Sequence, residues 1–246
     1  MFAISLALAA TIGVVLGLLG GGGSILTVPV LVYVLGYGAK PAIAMSLPVV
    51  GVTSLIGAGL HWRLGNVRVG TALLFGVLAM AGSFAGAKLG LLLSSRVQML
   101  LLAIVMIAAA VSMLRGRPGG DDDAAPSRTR LVLIKPVALG VGVLTGVVGI
   151  GGGFLVVPAL VLLANVPMRE AIGTSLLVIA MNAVSGFAGY LGAVEIDWSF
   201  LGGFTAAAVG GALVGTGLTS KVPQATLKRA FAIFLVALGT FVFYMN

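Results

Sequence analysis

The chain has 246 residues, of which 60% are hydrophobic and only 8% are charged, and its formal net charge is +8. Because a soluble domain has about 25% charged residues, this composition excludes a soluble protein and predicts an all-α integral membrane protein. The positive charge does not indicate a nucleic-acid partner, since the basic residues lie at the ends of apolar runs and in one linker rather than in a continuous stripe.

The first predicted element is an apolar stretch over residues 2–37 that a cluster of glycines interrupts. The cluster lies in the sequence Gly-Leu-Leu-Gly-Gly-Gly-Gly-Ser-Ile-Leu-Thr-Val-Pro at 17–29. Because glycine costs about 1 kcal/mol relative to alanine inside a helix, we predict a helix that ends at the cluster and starts again after it. A single helix over 2–37 would be about 52 Å long, which is too long for one crossing of a bilayer and too short for two.

Three apolar runs follow, and each is long enough to cross a bilayer: 42–60, 69–93 and 97–114. Pro41 precedes the first of them and suits the first turn of a helix. His61 and Trp62 come after it, in a polar loop where we expect both side chains at the membrane interface.

The next stretch, 115–130, is the only extended hydrophilic segment and predicts a disordered linker. We therefore divide the chain into a first transmembrane repeat at 1–115, a hydrophilic linker at 116–130 and a second transmembrane repeat at 131–246.

The second half repeats the order of the first, with an interrupted stretch at 131–166 and apolar runs at 171–191, 199–218 and 230–244. Its glycine cluster lies in Gly-Val-Val-Gly-Ile-Gly-Gly-Gly-Phe-Leu-Val-Val-Pro, and Pro29 and Pro158 are 129 residues apart. The same spacing relates Gly17 to Gly146. We predict two homologous repeats, each a glycine-broken helical unit followed by three transmembrane helices, a plan common among secondary transporters.

The basic residues decide how the halves are oriented. If each broken unit crossed the membrane once, the two faces would hold seven basic residues each. If each unit enters and returns, the halves are inverted, and one face holds eleven while the other holds only Lys40, Lys88 and Arg96. The positive-inside rule favours the second arrangement. We therefore predict inverted repeats in the cell (inner) membrane, with several crossings, both termini outside and the linker in the cytoplasm.

The glycine clusters are the first candidate substrate site. A helix that restarts inside the membrane directs unpaired N–H groups and about half a positive charge at whatever precedes it. Two such ends that meet near the repeat axis would bind a small anion without a buried Lys or Arg. The candidates are Gly20, Gly22, Gly23, Ser24, Gly149, Gly151, Gly152 and Gly153. The alternative is that these glycines only allow close helix packing, as we expect for the pairs Gly82/Gly86, Gly142/Gly146 and Gly211/Gly215.

Polar side chains on the helix after each cluster are the second set of candidates: Ser46, Thr174, Ser175 and Asn182. Asn182 occupies the position that corresponds to Thr53, and a buried amide in an apolar run is costly unless it has a partner. The alternative for each hydroxyl is a bond to a carbonyl of its own helix. For Lys88 we favour a side chain that extends to the interface over one that attracts anions.

These residues carry a resemblance. Two copies of G-x-x-G-x-G-G-[GS]-[IF]-L-x-V-P, each followed by A-I-[AG]-[MT]-S-L, resemble the sulfite exporter TauE/SafE family of membrane transporters over essentially the full chain. The resemblance implies a small secondary carrier for sulfur-containing anions such as sulfite, thiosulfate or organosulfonates.

Other functional classes are weighed by what the apolar runs contain. They hold no pair of carboxylates, no nucleophile with a base and no metal-ligand cluster, so we expect no enzyme, no metal and no cofactor. A secondary transporter, an anion channel and an accessory membrane subunit are left. The expected partners are a small anion and the lipid bilayer, with no nucleic acid. The direction of transport, the coupling ion and the oligomeric state stay open.

Overall fold

The computed structural model describes residues 2–19, 22–115, 128–148, 153–163, 166–219 and 223–245. Nearly all of these residues are helical. The helices are α1 (Phe2–Leu19), α2 (Gly22–Pro29), a π-helical turn (Val30–Val34), α3 (Ala39–Arg63), α4 (Val69–Leu92), α5 (Ser95–Arg115), α6 (Arg128–Val148), α7 (Gly153–Leu163), α8 (Met168–Tyr190), α9 (Trp198–Thr219) and α10 (Gln224–Met245).

Helix α1 ends at Leu19 and α2 begins at Gly22, while α6 ends at Val148 and α7 begins at Gly153; the predicted interruptions fall at residues 20–21 and 149–152, which lie outside the described residues. Pro41 lies in the first turn of α3, as expected. Some boundaries differ from the prediction, and helix α10 begins at Gln224 instead of residue 230. Helix α6 begins at Arg128, so its first turn lies inside the segment predicted as linker; residues 116–127 lie outside the described part.

Four helices, α3, α4, α8 and α9, are long and apolar enough to cross a membrane. Shorter apolar helices lie at Ala3–Leu18, Ser95–Ala108 and Lys135–Val148. Large apolar side chains such as Val77, Val184 and Val214 lie on the outside of the bundle, where lipid would cover them. The chain is therefore a multi-pass, all-helical membrane protein.

Helices α1 and α9 pack through glycines and run parallel. Gly211 and Gly215 of α9 lie so close to the backbone of Ala10 and Val14 of α1 that an added Cβ would overlap it. Because both residue numbers rise together along the contact, the two helices point the same way. The close approach confirms the prediction of a packing seam at Gly211 and Gly215.

Helices α4 and α6 pack in the same way. Gly82 and Gly86 of α4 lie against the backbone of Leu139 and Val143 of α6 without room for a Cβ. Each of these four residues is 129 positions from its counterpart in the α1–α9 pair. The first broken helix of each half therefore packs on the other half rather than on its own.

The centre of the molecule is the crossing of α3 and α8, which run antiparallel. Cβ atoms added at Gly51 and Gly57 of α3 would lie 3.0 Å from Ala183 and 3.1 Å from Leu176 of α8. The residue number falls on one helix as it rises on the other. Helices α3 and α8 are 129 residues apart in the sequence and run in opposite directions.

One end of the bundle, here called the Tyr37 end, gathers the starts of α3 and α9. The Tyr37 hydroxyl donates to the Asp197 carboxylate at 3.4 Å, and burial together with that carboxylate raises the pKa of Tyr37. Lys40 donates to the Leu91 carbonyl at 2.9 Å, which brings the end of α4 here as well. Since α1 runs parallel to α9, it also starts at this end, and the chain returns here through α2.

The opposite end, here called the Arg68 end, holds the starts of α4 and α8. The Arg68 guanidinium forms an ion pair with Glu170, and the Arg68 N–H donates to the Thr174 hydroxyl at 2.9 Å. Since α6 runs parallel to α4, it starts at this end too, and α7 leads back to α8 there. Helices α1 and α3 thus start at the Tyr37 end, and helices α6 and α8 start at the Arg68 end.

Candidate functional site

The two glycine clusters lie toward opposite ends of the bundle. Helix α1 stops beside the last turn of α9, where Gly17 faces Thr216, at the Arg68 end. Helix α6 stops beside the end of α4, where Gly146 faces Ser83 and Ala87, at the Tyr37 end. Helices α2 and α7 contact each other. The shared cradle stays a prediction, because residues 20–21 and 149–152 of the clusters lie outside the described residues.

Only part of each cluster can be described. Gly22, Gly23, Ser24 and Gly153 are the first residues of the restarted helices α2 and α7, and no side-chain contact is described for them. The other four candidates, Gly20, Gly149, Gly151 and Gly152, lie outside the described residues.

Two buried side chains, which the sequence analysis did not identify, lie at the end of α6 and contact its last carbonyls. The Gln98 amide donates to the Val147 carbonyl at 2.9 Å, and the Tyr190 hydroxyl lies 3.2 Å from the Gly146 carbonyl. The last carbonyls of a helix have no partner within it, so α5 and α8 supply the donors that α6 lacks. The presence of a Gln and a Tyr within apolar runs is the sequence signal that could have identified these two residues.

The break after α1 has different neighbours. The positions that correspond to Tyr190 and Gln98 are His61 and Leu227. His61 is only 2% exposed, and within the described ranges neither of its ring nitrogens has a hydrogen-bond partner. The interfacial position expected for His61 is therefore wrong, because the side chain turns into the bundle. Trp62, at 65% exposed, does occupy such a position.

Asn182 is the most unusual polar residue among the sequence candidates. Its side chain is fully buried, and neither amide atom has a hydrogen-bond partner in the part of the chain described. It lies on α8 next to Ala183, at the crossing with α3. Its counterpart Thr53 bonds the Val49 carbonyl of its own helix at 2.7 Å. The amide of Asn182 is thus available where the equivalent hydroxyl is not.

The other polar candidates have partners within the protein. The hydroxyls of Ser46 and Ser175 donate to the carbonyls of Ile43 and Ile172 at 2.7 and 2.8 Å. The hydroxyl of Thr174 accepts the N–H of Arg68, as described above. These contacts favour a structural role for the three hydroxyls.

Charged groups near the membrane runs face outward. The ammonium group of Lys88 lies 5.8 Å from the centre of the Phe84 ring on the exposed side of α4, as expected for a side chain that extends to the interface. Glu170 is paired with Arg68 in the first turn of α8. Among the described residues, no group of three or more His, Asp or Glu could hold a metal ion.

Comparison with known proteins finds similarity to membrane transporters. The profile of a family described as Sulfite exporter TauE/SafE matches residues 5–242. A probable membrane transporter protein of Xylella fastidiosa (strain 9a5c) is 32% identical over 96% of this chain and 92% of its own length. Probable membrane transporter protein YdhB of Bacillus subtilis (strain 168) is 32% identical over 91% and 92%. Probable membrane transporter protein MJ0441 of Methanocaldococcus jannaschii is 28% identical over 77% and 74%. No solved structure gives a significant match.

Proposed function

Because the chain belongs to the sulfite exporter TauE/SafE family of membrane transporters, we propose that it is a secondary transporter of a small sulfur-containing anion. Sulfite, thiosulfate and small organosulfonates are the candidate substrates. The proposed location is the cell (inner) membrane, and no cofactor is required.

The observation that carries this proposal is the buried amide of Asn182 at the crossing of α3 and α8. A buried amide without a partner costs about 1–3 kcal/mol, so a purely structural residue there would be apolar. Polar groups inside membrane helices mark substrate pathways when they face the interior. The Asn182 amide can donate two hydrogen bonds to an oxyanion. Its place between two antiparallel, equivalent helices suits the midplane site of a repeat-built transporter.

The arrangement of the halves supports the inverted topology. Each half has one broken unit that returns to its starting end and three further helices, so it crosses an odd number of times. The Arg68 end then carries eleven basic residues, and the Tyr37 end carries Lys40, Lys88 and Arg96. By the positive-inside rule the Arg68 end is cytoplasmic. Two inverted halves around a central pair can open alternately to either side.

In the proposed pathway, each glycine cluster is an anion-binding site, and one such site lies near each end of the bundle. Helices α2 and α7 both begin at a cluster, and the start of a helix attracts anions. We expect Gly→Val at Gly22, Gly23, Gly151 or Gly152 to abolish transport while the protein still folds and inserts. Variants that fail to accumulate would instead support close packing as the role of these glycines.

Purified protein in liposomes tests the proposal directly. We expect flux of sulfite, thiosulfate or sulfoacetate that saturates with concentration and shows counterflow. In a parallel thermal-shift series, an anion at 100 times its dissociation constant should stabilise the folded protein by about 2.7 kcal/mol. Flux without saturation or counterflow would identify an anion channel. No flux and no shift beyond that of chloride would leave an accessory membrane subunit.

A further inference from the structure

We propose that the Arg68 end holds a second oxyanion-binding site, formed by the imidazole of His61 and the hydroxyls of Ser54 and Thr216 beside the end of α1. The ligand is a small oxyanion of the transported class. The inference rests on the proposed function, but it concerns residues that the Asn182 and glycine sites do not include.

The first support is the burial of three polar side chains that lack partners. Ser54 is 0%, His61 2% and Thr216 4% exposed. Within the described helices, their hydroxyl oxygens and ring nitrogens have no hydrogen-bond partner. Each such group is costly in an apolar bundle. Three of them at the same end of the molecule indicate a common ligand rather than three independent losses.

The second support is the placement of Ser54 and His61 on α3. Together with Ala58 they follow a spacing of three and four residues, which puts all three on one face of the helix. Ala58 packs in one buried cluster with Leu16 of α1 and Leu176 of α8. This face of α3 is therefore turned toward the end of α1, where the glycine cluster begins.

The third support places Thr216 at the level of His61. The backbone of Thr216 lies against Gly17, near the end of α1. At the Tyr37 end, the corresponding residues Ala87 and Tyr190 belong to one buried cluster. The parallel packing of α1 on α9 and of α6 on α4 repeats residue by residue between the halves. This correspondence places Thr216 on the same side of the bundle as His61, beside the end of α1.

The contrast between the two ends explains why only one has free donors. At the Tyr37 end, the hydroxyl of Tyr190 and the amide of Gln98 donate hydrogen bonds to the last carbonyls of α6. In the sequence, Leu227 corresponds to Gln98, Thr216 to Ala87 and His61 to Tyr190. Imidazole and two hydroxyls offer donors to a compact oxyanion without a fixed charge. The basic residues of this end raise the local concentration of anions.

Three variants and one matched control test the site. Thr216→Val and Ser54→Ala remove a hydroxyl with little change of shape, and His61→Leu removes both ring nitrogens. The control is Thr53→Val, on the same helix as Ser54, because that hydroxyl bonds its own backbone. The probes are sulfite, thiosulfate, sulfate and chloride, and the readout is the dissociation constant from thermal shifts of purified protein.

We expect Thr216→Val and His61→Leu to raise the dissociation constant of the preferred oxyanion about tenfold, the loss typical of one hydrogen bond to a charged ligand. Thr53→Val should leave it unchanged. If the wild type binds an oxyanion and every variant binds it equally well, the site is refuted and the proposed function stands. If the wild type binds none of the oxyanions, both fail. Should His61→Leu not accumulate, Thr216→Val, which keeps volume, decides the test alone.

Discussion

Asn182 is the proposed substrate-binding side chain at the crossing of α3 and α8. Replacing it with Leu removes an unpartnered buried amide and keeps a similar volume. We expect Asn182→Leu to raise the free energy of unfolding by about 1 kcal/mol, since the desolvation cost of the amide disappears. Transport should fall to background because no donor is left at the α3–α8 crossing. Thermal unfolding in detergent and liposome flux measure the two effects.

The control for this change is the corresponding residue of the other half. Thr53→Val removes a hydroxyl that is already bonded to the backbone, so transport should persist. A variant Asn182→Leu that transports normally would remove Asn182 from the pathway. One that is strongly destabilised would indicate an internal partner for the amide.

For single residues, the sequence was informative where burying the side chain itself costs free energy. Asn182 was predicted as a site residue because burying an amide within an apolar run costs free energy whichever way the side chain points. His61 was misplaced, since a histidine next to Trp62 and Arg63 suits an interface, and only the packing of α3 shows which way its ring turns. Gln98 and Tyr190 were overlooked because their role depends on the carbonyls of a helix far away in sequence.

Adjacent glycines on α9 give a sharp test of the helix seams. Gly211 lies against α1 with no room for a Cβ, whereas an added Cβ at Gly210 meets nothing within 4 Å in the described structure. We expect Gly211→Ala to lower the free energy of unfolding by about 1–3 kcal/mol, because the helices must separate. Gly210→Ala should be neutral or stabilising by up to about 1 kcal/mol. Thermal midpoints that fall equally for both would contradict the seam.

The hydrogen bonds at the end of α6 give a second test of how the helices are held together. Tyr190→Phe removes a donor to the last carbonyls of α6, which should cost about 1 kcal/mol. Thermal unfolding measures the loss, and Tyr244→Phe serves as the control because Tyr244 is 89% exposed. An unchanged midpoint for Tyr190→Phe would mean that other groups, not this hydroxyl, hold the end of α6.

Helix positions followed from sequence, whereas helix partners did not. Apolar runs, Pro41 and the glycine clusters predicted most helices to within a few residues, because hydropathy and helix propensity act locally. The pairing of α1 with α9 depends on shape complementarity between distant glycines. The pair Gly13 and Gly17 could have been recognised as a seam, since it lies 129 residues before Gly142 and Gly146.

The orientation of the whole molecule can be tested in this chain, which has no cysteine. Single cysteines at Ala125 and at Asn246 should react with membrane-impermeant reagents from opposite sides, with Ala125 accessible from the cytoplasm. The reason is the odd number of crossings proposed for each half. Labelling of both from the cytoplasm would contradict inverted repeats.

The packing of α1 on α9 has a consequence for how the protein is made. Gly13 touches Ala208, a residue synthesised long after it. At about 5–20 residues per second, translation takes roughly 10–40 s to produce the partner of α1. During that time the glycine face of α1 lies in the membrane without its native neighbour. The pairing of α4 with α6 can therefore form while synthesis continues, whereas α1 pairs only near the end of synthesis, and a chain that stops after its first repeat would leave both α1 and α4 without their partners.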